Sequence, residues 1–115
     1  MAKLDGFKIL AKLEELDAYS RQAAMQFPKY ERHVLCAEIR ASCNRLLRLT
    51  IQAAKRYHKK TTLQELDIEI EVLRGLVRKA HRLRYINHKR YETWSREIDE
   101  VGRMLGGWIK SQSNS

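Results

Sequence analysis

Proline ends helices, because it cannot donate to the ladder and it pushes the preceding residue out of helical geometry. This chain of 115 residues has a single proline, Pro28. No Ser/Gly-rich linker interrupts the interior, and apolar residues recur three and four apart nearly throughout. That spacing predicts helices and no strands. Four helices are expected: Leu4 to Met25, ended by Phe27-Pro28; from just after Pro28 to about His58; Thr62 to about Tyr85; and His88 to about Ile109. Pro28 suits a first-turn position. Lys59-Lys60-Thr61 reads as a turn, Thr62 with Glu65 as a capping box, and Asn87 as an N-cap. Short connections make consecutive helices antiparallel neighbours. The expected architecture is an all-α, up-down-up-down bundle over residues 1–110, with Ser111–Ser115 as a disordered tail.

Charge narrows the function. Lys and Arg number 23 against 14 Asp and Glu, a net charge of +9. Such a balance favours polyanionic partners, namely DNA, RNA or an acidic protein surface. Met1–Gly6 has no signal-peptide pattern and no apolar run reaches a membrane span, which points to a cytosolic protein without a membrane partner. Cys36 and Cys43 lie about 10 Å apart along one helix, too far for a disulfide. No Cys-x-x-Cys and no His pair at four-residue spacing occurs, so neither a metal nor another cofactor is expected. There is no Gly-rich phosphate loop and no nucleophile elbow. His33, His58, His81 and His88 belong to no local catalytic signature, and the reading is of a protein that is not an enzyme.

The second helix has no acid from Ile39 to Lys60. At 100° per residue, Arg45, Arg48, Gln52, Arg56 and Lys59 form one stripe, with Lys55 and Lys60 beside it. Ile39, Cys43, Leu46, Thr50, Ala54 and Tyr57 form the opposite, core face. An ordinary solvated face mixes both signs; a one-sign stripe can track phosphates. The third helix divides by charge. Glu65, Asp67, Glu69 and Glu71 occupy its first turns and suit contact with a basic partner protein; internal pairing of some of them with Lys55, Lys59 and Lys60 would not preclude that contact. Arg74, Arg78 and Arg82 form a ladder at four-residue spacing, suited to phosphate or carboxylate, with His81 and Tyr85 beside it. Part of this division is helix-dipole chemistry.

The third helix is also apolar over a wide arc. Leu66, Ile70, Leu73, Val77 and Ala80 make a core stripe; Ile68, Val72, Leu76 and Leu83 make a second, read as an oligomer interface or as a surface reached by two neighbouring helices. In the fourth helix, Tyr91, Trp94, Ile98, Val101, Leu105 and Trp108 form a core stripe. Gly102, Gly106 and Gly107 interrupt that helix, and each glycine costs about 1 kcal/mol relative to alanine. They imply close packing of a neighbour, or a cap at Gly106-Gly107.

The run Asp99-Glu100-Val101-Gly102-Arg103-Met104-Leu105-Gly106-Gly107-Trp108-Ile109 resembles the C-terminal helix of the accessory variability determinants of diversity-generating retroelements. Phe27-Pro28-Lys29-Tyr30-Glu31-Arg32 and Glu69-Ile70-Glu71-Val72-Leu73-Arg74 resemble the same family in order, and the likeness spans about Phe7 to Ile109. A wider relative is the four-helix-bundle family encoded in intervening sequences of bacterial ribosomal RNA genes. Its Asn-Ile-Ala-Glu-Gly segment is replaced here by Asn44-Arg45-Leu46-Leu47-Arg48, which favours the retroelement branch. The resemblance implies a basic, barrel-like homopentamer that binds nucleic acid and accompanies a reverse transcriptase. Together the two would make adenine-mutagenised cDNA from a template-repeat RNA for mutagenic retrohoming. The competing readings are a structural oligomer whose basic surface serves protein docking only, and a small nuclease, against which the missing acidic metal cluster counts.

Overall fold

A computed structural model describes the backbone of residues 2–113 and the side chains of residues 6–112. Its four helices are α1 (Ala2–Ala24), α2 (Leu35–Lys55), α3 (Lys60–Arg82) and α4 (His88–Ser113). They run up, down, up and down. Each packs only on its two neighbours around a square: α1 on α2 and α4, α3 on α2 and α4. The bundle measures 46 × 24 × 19 Å.

The core follows the helical spacing. Leu66, Ile70, Leu73, Val77 and Ala80 of α3 are buried, as are Trp94, Ile98, Val101, Leu105 and Trp108 of α4. Each tryptophan plugs one end of the rod. Trp94 donates its indole N–H to the buried Ser20 Oγ at 2.9 Å and packs near Phe27. Trp108 lies under Gly6, where an added Cβ would meet Ala54 at 3.2 Å and the indole ring at 3.5 Å. Gly6 thus lets α1 close onto α2 and α4 at that end.

The element ends differ from the sequence expectation in instructive ways. Pro28 is extended (φ −56°, ψ 148°) and opens a short 3-10 turn at Lys29–Glu31 instead of α2 itself. α2 begins only at Leu35, whose amide donates to Glu31 Oε1. The other oxygen of that carboxylate accepts from the Tyr85 hydroxyl at 2.6 Å. Glu31 therefore ties the start of α2 to the α3–α4 turn, and it raises the Tyr85 pKa because the neutral phenol is the donor.

α2 ends at Lys55, three residues earlier than the pattern suggested, with Arg56 extended. The physical reason is Lys59. Its ammonium donates to the carbonyls of Ala53, Arg56 and Ala54 at 2.6, 2.6 and 3.3 Å, satisfying the end of the helix from outside it. The expected Thr62–Glu65 capping box does not form. α3 starts two residues before Thr62, so Thr62 sits buried within the first turn and accepts from Arg56 Nη1 at 2.8 Å.

α3 stops at Arg82 through a Schellman pattern, with Tyr85 N–H bonded to Ala80 O and Arg84 N–H to His81 O. The left-handed residue is Arg84 (φ 62°), where glycine is usual, so no sequence signal marks this stop. Asn87 does cap α4, accepting from the Arg90 amide at 2.8 Å. α4 continues through Ser113, so the expected tail does not begin at Ser111; residues 114 and 115 lie outside the described part. Gly106 and Gly107 neither cap that helix nor pack closely, since an added Cβ at either would meet nothing within 4 Å.

Candidate nucleic-acid interface

The nine cations singled out from the sequence divide into three groups. Arg45 and Arg74 are held by carboxylates. Arg45 Nε lies 3.0 Å from Glu69 Oε1, and Glu69, itself buried, also accepts from the Ser42 hydroxyl at 2.7 Å. The α2 stripe therefore does meet an acid, supplied across the helix pair by α3. Arg74 pairs with Glu71 on its own helix and with Asp99 of α4 at 3.0 Å. It fills the space above Gly102, where an added Cβ would meet its Nη2 at 3.0 Å. A cation so neutralised releases few counterions from a polyanion.

Arg56 and Lys59 form the second group. Hydrogen bonds to Thr62 and to backbone carbonyls fix them in place, but no carboxylate among the described residues neutralises them. The third group has no hydrogen-bond or ion-pair partner among the described residues: Arg48, Lys55, Lys60, Arg78 and Arg82. All five are exposed.

The fold does not gather these free cations into one stripe. Arg56 and Lys59 leave the helix, so the α2 face ends at Lys55. Lys60 and Arg82 stand at opposite ends of α3, roughly 33 Å apart at 1.5 Å per residue. Lys55, Arg56, Lys59 and Lys60 cluster at the α2–α3 turn, with Arg48 two turns down α2, whereas Arg78 and Arg82 lie at the far end of the rod.

The acids divide too. Glu65 and Asp67 are exposed and unpaired among the described residues. Glu69 and Glu71 are engaged with Arg45 and Arg74, and neither meets Lys55, Lys59 or Lys60. On the second apolar stripe, Ile68, Val72 and Leu83 are 58%, 46% and 45% exposed and Leu76 is half-buried. Only its Val72–Leu76 side borders another helix, in a shallow groove shared with Ala41 of α2.

One residue of the turn escaped the sequence reading. Tyr57 falls on the core face of an extended α2 pattern, yet it is 90% exposed, because the helix ends before it. His58 packs edge-on to it, with centroids 4.8 Å apart. The available signal was the flanking run Lys55-Arg56 and Lys59-Lys60, an aromatic pair interleaved with cations. Of the other histidines, His81 stacks on Tyr91 at 4.2 Å, His88 pairs with Glu92, and His33 is exposed.

Between α1 and α2 lies a cavity of about 380 Å³ bordered by Arg21, Lys29, Arg32 and Arg40, with both cysteines in its wall. Burial pushes the Cys43 thiol up to about 11 and raises Cys36 as well, so both are protonated at neutral pH and poor nucleophiles. Among the described residues, no three His, Cys, Asp or Glu side chains converge as a metal site would require. No helix there is long and apolar enough to cross a membrane.

A family model described as bAvd-like matches residues 7–112, which takes in nearly all of the four helices. The chain belongs to the bAvd-like family. These are the accessory variability determinants to which the sequence motifs pointed, proteins that are in general accessory to a retroelement rather than catalytic. The family match includes the α2–α3 turn and the Gly102–Trp108 run. No curated protein matches the chain.

Proposed function

We propose that this protein is the non-catalytic accessory subunit of a diversity-generating retroelement, binding nucleic acid and the element's reverse transcriptase during mutagenic cDNA synthesis. Membership of the bAvd-like family carries the reading. The uncompensated cations support it: Arg48, Lys55, Arg56, Lys59 and Lys60 near the α2–α3 turn and Arg78 and Arg82 at the other end. Ligands on this surface would be template-repeat RNA and its cDNA. The subunits assemble as a homopentamer through the second apolar stripe of α3. Glu65 and Asp67 are the acids left free to meet a basic polymerase.

The test has two arms. Arg48→Glu, Lys55→Glu and Lys60→Glu combined should abolish most RNA and DNA binding, with each lost phosphate contact flattening the log–log salt dependence by about 0.7 to 0.9. Purified reverse transcriptase should retain the protein in a pull-down with template RNA. Loss only after ribonuclease assigns the link to RNA, and loss only on reversing Glu65 and Asp67 assigns it to direct docking. Failure to associate even with template RNA present overturns the reading. The docking-only alternative draws on the internal pairing of Arg45 and Arg74; it predicts no salt-sensitive binding to unrelated nucleic acid.

A further inference from the structure

The α2–α3 turn leaves an aromatic ring in water within a run of cations, Lys55-Arg56-Tyr57-His58-Lys59-Lys60. Tyr57 is 90% exposed, so it contributes almost nothing to the bundle's stability. Its one ring neighbour among the described residues is His58, set edge-on at 90°. Lys55, Arg56 and Lys60 lie within three residues of it along the chain, all exposed, and the chain carries no acid between Ile39 and Gln64.

The turn is tied down. Lys59 bridges three carbonyls at the end of α2, and Arg56 reaches Thr62 at the start of α3. A ring on such a frame loses little freedom on binding, which is how pre-organisation raises affinity. An exposed aromatic face beside cations matches the way single strands are held, with bases stacked on rings and phosphates on Lys and Arg.

We propose that this turn is a stacking platform for unpaired nucleotides, with Tyr57 as the ring that takes a base and Lys55, Arg56 and Lys60 as its phosphate contacts. The proposal rests on the nucleic-acid-binding reading and narrows it to single-stranded RNA or DNA. In a duplex the faces of the bases are already stacked on each other, so only an unpaired base can cover the ring. Every base has such a face, so the platform has little sequence preference. A contact between two copies of this turn is disfavoured because it would bring like charges together.

Tyr57→Ala, Tyr57→Phe and wild type are compared by fluorescence anisotropy on a labelled polyuridine oligomer and on a labelled RNA duplex. Circular dichroism and light scattering check fold and mass. Tyr57→Ala should weaken oligomer binding by roughly five- to 150-fold and leave duplex binding unchanged. Tyr57→Phe, which keeps the ring, should bind the oligomer as wild type does. Unchanged oligomer affinity in Tyr57→Ala, an equal loss on both probes, or an altered oligomeric mass would overturn the platform while leaving the broader reading standing. Failure of the wild type to bind either probe would overturn that broader reading, and the platform with it.

Discussion

Glu69 joins stability to charge at a single position. Its carboxylate lies against α2, accepting from Ser42 and pairing with the half-exposed Arg45. Removing its charge while keeping its shape should separate the two roles. In Glu69→Gln the amide oxygen can still accept from Ser42, and Arg45 is released to solvent. Urea denaturation should show a loss of about 1 kcal/mol, the scale of a charge-assisted bond with one exposed partner. If Arg45 borders the binding surface, affinity for single-stranded RNA rises and the log–log salt slope steepens by about 0.7. A slope identical to wild type places Arg45 away from the nucleic acid.

At the scale of elements, the ends of the helices matter more than their middles. Lys59 is a basic residue in a basic run, and its identity suggests a phosphate contact. Its position makes it the cap of α2, with its ammonium on three carbonyls. Lys59→Ala should lower stability by about 1 kcal/mol, seen as a lower urea midpoint at unchanged m-value. Because that cap also frames Tyr57, binding to single strands should weaken by more than the single phosphate contact Lys59 could itself supply. At the opposite end, the Schellman stop at Arg84 puts a large side chain at a left-handed position. It is held there by the adjoining bonds of Tyr85, both to Ala80 and to Glu31.

For the whole molecule, the square arrangement of helices leaves every helix an outward face, and that of α3 carries Ile68 and Val72 among its charged residues. Ile68 and Val72 stand more than 45% exposed, beside a shallow groove against α2 that Val72 and Leu76 share with Ala41. An exposed apolar strip of this kind marks an interaction surface. If it closes the proposed homopentamer, Ile68→Glu with Val72→Glu should yield a folded species of monomer mass by light scattering, since each buried carboxylate would meet an apolar neighbour. Unchanged mass would assign the assembly to another face. Gly106 and Gly107, exposed in mid-helix with no neighbour, are then available for the close approach of another subunit.

The sequence by itself determined the number of helices, their order and most of the core stripes of α3 and α4, because burial follows a 3.6-residue period that depends only on spacing; the buried residues of α1, such as Ile9, Leu13 and Leu16, were not singled out. It also marked the family, through Asp99–Ile109 and two further segments, and the cap at Asn87, where side chain and amide are three residues apart. The tertiary structure alone decided which charges are free. Arg45 meets an acid 24 residues away and Arg74 one 25 away, so no single-helix projection could pair them. It decided the α2–α3 turn as well. A lysine one residue beyond the expected end at His58 ended α2 early and moved Tyr57 from the core face into water, because helix ends depend on who satisfies the last carbonyls rather than on where the apolar residues fall.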